Sequence, residues 1–164
     1  MKKLELSLLL STSVVIILFF FSCMQQEKVD VEADIAAINE LYDQYVHAAN
    51  TDDLDLFIST WDDDAIRLEP GRSSILGKEN IRAFFKTLYD QFNLNIVIYG
   101  DTEIQVSKDM AFGRGTATLS LTPKEGGSTT HLDLKWLDIL KKQEDGSWKI
   151  YRDMINFNEP PKVE

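Results

Sequence analysis

The hydrophobic spacing of this chain changes once, near Phe92 and Leu94, and that change limits the folds open to it. Before it, apolar residues recur at helical intervals. Ile35, Ile38, Leu41, Tyr42, Tyr45 and Ala49 mark one amphipathic helix over residues 31–50. Leu54, Phe57, Ile58 and Trp61 mark a second, short helix ending at Trp61. Ile81, Phe84, Phe85, Leu88 and Phe92 mark a third, over residues 78–92 and introduced by Gly77. After it, the period is two. Ile96 and Ile98 alternate with Val97 and Tyr99, Gly100-Asp101 reads as a turn, and strands are expected over 103–107, 110–122, 129–144 and 148–158. Asp145-Gly146 is a hairpin signal. Between the second and third helices, Asp62-Asp63-Asp64 reads as a turn into a strand from Ala65 to Glu69, which Pro70-Gly71 ends. Helices followed by long antiparallel strands predict an α+β domain.

The 164 residues suit one domain, and the first 22 are not expected to belong to it. Lys2 and Lys3 precede an apolar run from Leu6 to Phe21, closed by Ser22-Cys23, in the order of a secretory signal. A Cys directly after a small residue looks like a bacterial lipobox, although Phe20 stands where Leu is usual. On that reading residues 1–22 are a lipoprotein signal peptide, Cys23 is lipidated, 23–30 are a polar tether, 31–158 the domain and 159–164 a tail. The protein is then exported and held by a lipid anchor at the bacterial cell envelope, at the periplasmic face or the cell surface. The alternative is an uncleaved membrane anchor. Cys23 is the sole cysteine, so an internal disulfide is excluded. The formal charge of -10 argues against nucleic acid as a partner, because phosphate backbones repel an acidic surface.

The segment from Tyr45 to Pro70 carries a resemblance. Its Y-V-x-A-x-N run begins at Tyr45, its D-L-D turn is Asp53-Leu54-Asp55, its D-D-A is Asp63-Asp64-Ala65, and its acid-proline pair is Glu69-Pro70, all without a gap. Together with Asp145-Gly-Ser-Trp-Lys-Ile150 these residues resemble a ketosteroid isomerase of the SnoaL-like branch in the nuclear transport factor 2-like superfamily. The resemblance implies a cystatin-like cone: a strongly bent antiparallel sheet wrapped around the long N-terminal helix, with an open cavity, and a homodimer. A dimer face is also suggested by apolar Leu137 and Ile139, opposite the face that carries Asp138.

Three residues follow as candidate catalytic groups. Tyr45 aligns with the tyrosine that donates to a developing oxyanion; it could equally be a core tyrosine anchoring the helix. Glu69 stands where the family's base is normally Asp, one methylene longer; the alternative is a surface acid before a turn. Asp138 shares a strand face with Leu132, Leu134, Trp136 and Leu140, an unusual place for an acid. The resemblance makes it a protonated second donor, unless the other face of this strand looks inward. His131 is a further candidate, because some relatives with dehydratase activity use an Asp-His pair, whereas His47 falls on a different part of its helix from Tyr45. Arg114, Thr116 and Thr118 share a strand face and are expected to line the cavity.

No cofactor is expected. Clustered Cys and His are absent, Asp62-Asp63-Asp64 lacks the spacing of a calcium loop, and no Gly-rich phosphate loop or serine-nucleophile motif occurs. Three functions stay open: a cofactor-free isomerase, cyclase or dehydratase acting on a small apolar molecule; a lipid-anchored domain that binds such a molecule without chemistry; and a dimeric assembly module.

Overall fold

The computed structural model describes residues 30–159. The expected signal peptide, Cys23 and, apart from Asp30 and Glu159, the expected tether and tail lie outside the described residues. Among the described residues no helix is long and apolar enough to cross a membrane.

Helix α1 runs Val31–Asn50 and α2 runs Leu54–Ser59. Strand β1 follows as Trp61–Leu68 and β2 as Ile75–Leu76, then helix α3 as Lys78–Gln91. Four long strands complete the domain: β3 Phe92–Ser107, β4 Met110–Pro123, β5 Thr130–Lys142 and β6 Trp148–Phe157. They form one curled six-stranded sheet in the order β2-β1-β6-β5-β4-β3. The α+β class and the bent sheet packed against α1 are as expected, but the sheet is not purely antiparallel: β1 runs parallel to β6.

Helix α1 is fixed to the sheet by a polar side chain near each end. Asp34, buried near its start, accepts from Lys142 Nζ at 2.6 Å and from Trp148 Nε1 at 3.0 Å. The Asp-Gly-Ser-Trp hairpin between β5 and β6 thus has a structural task, presenting the indole to the helix. At the other end the Asn50 amide donates to the Ile96 carbonyl at 2.9 Å and accepts from the Ile96 N–H at 2.7 Å, copying one step of a β ladder. Between these ties Ile38, Leu41, Ala48 and Ala49 pack into a core with Phe57, Trp61, Ile81, Phe85 and Leu140. Burial of this apolar surface is the main favourable contribution to folding.

Several local expectations are corrected. Helix α2 ends at Ser59, and the three aspartates lie within β1 rather than in a turn. The Ile150 N–H bonds the Thr60 carbonyl at 2.9 Å and Trp61 pairs with Ile150, so β6 captures the chain immediately after the helix. Between Trp61 and Ile66 the register slips, and the acidic run occupies this irregularity. Asp63 and Asp64 face solvent, while buried Asp62 accepts from the Asp64 N–H at 3.0 Å and from Gln143 at 3.1 Å. Gly100-Asp101 does not divide β3 into two strands. Tyr99 pairs with Thr116 and Glu103 with Arg114, so β3 carries two extra residues there, with Gly100 at a φ of 69°. Such a bulge bends the strand and increases its twist without ending it.

Candidate functional site

The curl leaves a cavity of about 280 Å³ between the inner face of the sheet and helices α1 and α3. Its walls are apolar and follow from strand alternation: Leu94, Ile96 and Ile98 on β3, Ala117, Leu119 and Leu121 on β4, Leu132 and Leu134 on β5. Phe84, Phe85 and Leu88 of α3 add to them. The charged groups of the lining are Arg67, Glu69, Arg72, Asp138 and Asp153, accompanied by the phenols of Tyr42 and Tyr45.

All three sequence candidates, Tyr45, Glu69 and Asp138, line this one cavity. The other expected lining residues do not. Arg114, Thr116 and Thr118 have the opposite parity to Ala117 and Leu119 and lie on the outer face. Arg114 pairs there with Glu103 at 2.6 Å, and Thr116 donates to the Tyr99 carbonyl. His131 is exposed and contacts Ser120 Oγ at 2.9 Å, and His47 is exposed on α1.

Arg67 is the centre of the polar network, and it was not singled out in the sequence. It follows the parity of Ala65 on β1 and of Glu69 just beyond the strand, and is buried. Its Nε donates to Glu69 Oε1 at 2.8 Å and its Nη1 to Asp153 Oδ2. The guanidinium lies 5.0 Å from the Phe85 ring centre and 5.9 Å from that of Trp61, contacts that favour a cation. Burial works against its charge, but Asp153, Tyr45 and Glu69 more than offset this, and its pKa is raised.

Asp153 reaches the cavity because of a bulge. Leu140 pairs with Ile150 but Ile139 pairs with Arg152, which leaves Tyr151 as an extra residue on β6. Ile150 faces inward, and without the bulge strict alternation would direct Arg152 and Met154 inward as well. With it, Asp153, Ile155 and Phe157 line the cavity and Met154 is exposed.

The same register sets Asp153 directly opposite Asp138. Two carboxylates so placed cannot both be ionised cheaply. Asp153 is the member bonded to Arg67, and Asp138 is the member without a cationic hydrogen-bond partner. Burial, and then the charge of Asp153, push the Asp138 carboxyl well above the ordinary carboxylate range, against smaller opposing effects of Tyr42 and Arg67.

Tyr42 supports Asp138 from behind. Its ring packs against Trp136, 4.9 Å between centres, and its hydroxyl lies over Gly113, the β4 partner of Asp138. A Cβ at Gly113 would collide with that hydroxyl, and one at Gly115 would lie 2.7 Å from the Trp136 ring. The two glycines inside a strand are therefore sites of close approach, a sequence signal that could have located Tyr42. Tyr42 Oη and Asp138 Oδ1 are buried without a well-aligned hydrogen bond, yet they lie close enough for the carboxyl, after burial itself, to raise the phenol's pKa. Tyr45 is held up by burial against the opposing charge of Arg67. Both phenols are thus donors at neutral pH.

Comparison with known proteins agrees with this architecture. Residues 31–152 match the model of the SnoaL-like domain, and the chain belongs to that family. It is similar to a ketosteroid isomerase-like protein from Erwinia carotovora atroseptica, with 27% identity over 76% of this chain and 96% of that one and a TM-score of 0.65. A conserved protein from Planctomyces limnophilus shows 25% identity over 77% and 98%, with a TM-score of 0.71. A nuclear transport factor 2-like superfamily protein from Salmonella enterica shares the fold, with 16% identity over 80% and 96% and a TM-score of 0.72. Further similar structures carry provisional dehydratase names. No curated protein matches the chain.

The site predicts a pH dependence of stability. Because the folded pKa of Asp138 lies above its unfolded value near 3.8, the folded state keeps a proton that the unfolded chain releases. Stability therefore falls as pH rises from the ordinary carboxyl range up to the raised pKa, with a slope of about 1.4 kcal/mol per pH unit from this group alone. In urea denaturation across that range, Asp138→Asn should flatten the decline relative to the unaltered protein. Parallel curves for the two would contradict the assignment.

Proposed function

We propose that the cavity binds a small, largely apolar molecule and that the domain is a cofactor-free enzyme of isomerase, cyclase or dehydratase type. The observation that carries this reading is the pairing of two proton-bearing donors, half-buried Tyr45 and buried Asp138, with the acid Glu69 on the lining of one apolar cavity. In an isomerisation, Glu69 takes a proton from the carbon beside a carbonyl. The electron pair moves to the carbonyl oxygen, where Tyr45 and Asp138 donate hydrogen bonds to the developing charge. Glu69 then returns the proton to a different carbon. Donors fixed in a dry site stabilise such an oxyanion far more than they would in water. Arg67 orients Glu69 by its Nε and, by its Nη1, holds Asp153, the residue opposite Asp138.

The cavity as a binding site without chemistry is the second reading, and one observation favours it. Both oxygens of Glu69 already face guanidinium groups, Oε1 that of Arg67 at 2.8 Å and Oε2 that of Arg72 at 3.5 Å. Isomerisation of a small β,γ-unsaturated cyclic ketone, followed by the absorbance of its conjugated product, separates the two. The catalytic reading predicts turnover, a loss of about 100-fold on Tyr45→Phe and abolition on Glu69→Gln, with both variants folded. Ketone binding without turnover, unaffected by Glu69→Gln, would replace it with the binding reading.

We further infer that Cys23 is the lipidated first residue of the mature protein, which holds the domain at the cell envelope, and that two copies meet through the outer face of the sheet. The second inference rests on Val97, Tyr99, Leu137, Ile139 and Met154, which are exposed on that face. Mass spectrometry of the protein from its native membrane should find a diacylated or triacylated Cys23 at the N-terminus; a chain beginning at Met1 refutes the anchor. Light scattering at tens of micromolar, a range that detects weak association, should give the mass of a dimer; a monomer refutes the interface.

A further inference from the structure

Arg72 stands apart from the buried network. It lies in the loop between β1 and β2, lines the cavity, and its side chain is 48% exposed, so it marks where the cavity opens to solvent. Its guanidinium lies over the Phe84 ring, 4.7 Å from the ring centre, against an apolar wall. Its ion pair with Glu69, at 3.5 Å, is too long for a good hydrogen bond. The other described arginines each donate at 3.1 Å or less: Arg67 to Glu69, Arg82 to Asp55, Arg114 to Glu103 and Arg152 to the Asp64 carbonyl. Arg72 is the arginine that, among the described residues, donates no hydrogen bond.

A guanidinium is a planar fork of five donors suited to a planar anion. Here the fork is positioned by an aromatic ring, joined to Glu69 only by a long ion pair, and set at the opening of an apolar cavity. The surrounding chain carries a formal charge of -10 and would otherwise repel an anion. On the lining itself the charges balance, Arg67 and Arg72 against Glu69 and Asp153, with Asp138 as the proton-bearing acid.

We propose that Arg72 is a specificity residue that receives a carboxylate, and that the ligand is a small apolar acid whose carboxylate lies at the cavity mouth while a second oxygen reaches Tyr45 and Asp138. This rests on the reading of the cavity as a binding site for a small apolar molecule and adds the class of that molecule. A cavity of about 280 Å³ has room for about nine waters at roughly 30 Å³ each, which suits the body of a fused bicyclic ring.

Two probes share such a body: 6-hydroxy-2-naphthoate, with both polar ends, and 2-naphthol, with the hydroxyl alone. In calorimetric titrations of the full chain at neutral pH, the carboxylate probe should bind about tenfold more tightly. Arg72→Met keeps an apolar stem over Phe84 and should abolish that preference while leaving 2-naphthol within twofold. Arg72→Lys, which keeps the charge but not the fork, should retain part of it. Equal affinity of the unaltered protein for the two probes overturns the inference alone, as does a preference that survives Arg72→Met. If neither probe binds, the cavity reading fails and this inference fails with it.

Discussion

The buried ion pair between Arg67 and Asp153 is the interaction on which the rest of the site depends. Breaking such a pair leaves an uncompensated charge in a poorly solvated place, a loss larger than the net gain from forming it. Here the pair is embedded: Nε of the same guanidinium holds Glu69, and its faces meet Phe85 and Trp61. With Asp153 fixed in this way, the opposite residue on β5, Asp138, has to keep its proton. Burial keeps Tyr42 and Tyr45 as neutral phenols, Tyr45 against the charge of Arg67. One arginine thus organises a cavity end built from α1, β1, β5 and β6.

The geometry that permits this comes from irregularities of the sheet. The β6 bulge at Tyr151 reverses the phase of that strand and turns Asp153 inward. The β1 slip before Ile66 accommodates the acidic run, after which Ala65, Arg67 and Glu69 share the inner face. The β3 bulge after Tyr99 lies where a continuous sheet needs to bend. On β4, Gly113 and Gly115 remove side-chain bulk so that Tyr42 and Trp136 can lie against the backbone. Stability and function draw on the same features, since the ties that hold α1 to the sheet, at Asp34 and Asn50, also fix Tyr42 and Tyr45 over the cavity.

Much of this was legible in the sequence because periodicity reports burial directly. The helical stripes located α1 and α3, and two-residue alternation placed Asp138 on the apolar face of β5. The resemblance carried by Tyr45 to Pro70 brought Tyr45 and Glu69 to the same cavity. What was not legible depended on phase. Asp153 has the wrong parity relative to Ile150 until the bulge is known, and nothing in Ile150-Tyr151-Arg152 marks one. Arg67 looks like an ordinary outward arginine, since its burial is explained by partners 2 and 86 positions away. Arg114, Thr116 and Thr118 do share a strand face, but it is the outer one, and the alternation alone does not say which face of β4 looks inward; Ala117, Leu119 and Leu121 line the cavity.

The central claim is that Asp138 keeps its proton above the ordinary carboxylate range because Asp153 is committed to Arg67. Carbon-13 NMR of the protein labelled at aspartate carboxyl carbons tests it most directly, with the Asp138 resonance assigned by its loss in Asp138→Asn. The account predicts a resonance still at the protonated position at pH values where the exposed aspartates are ionised. An Asp138 resonance that titrates together with the exposed aspartates, in the ordinary carboxylate range, would contradict it.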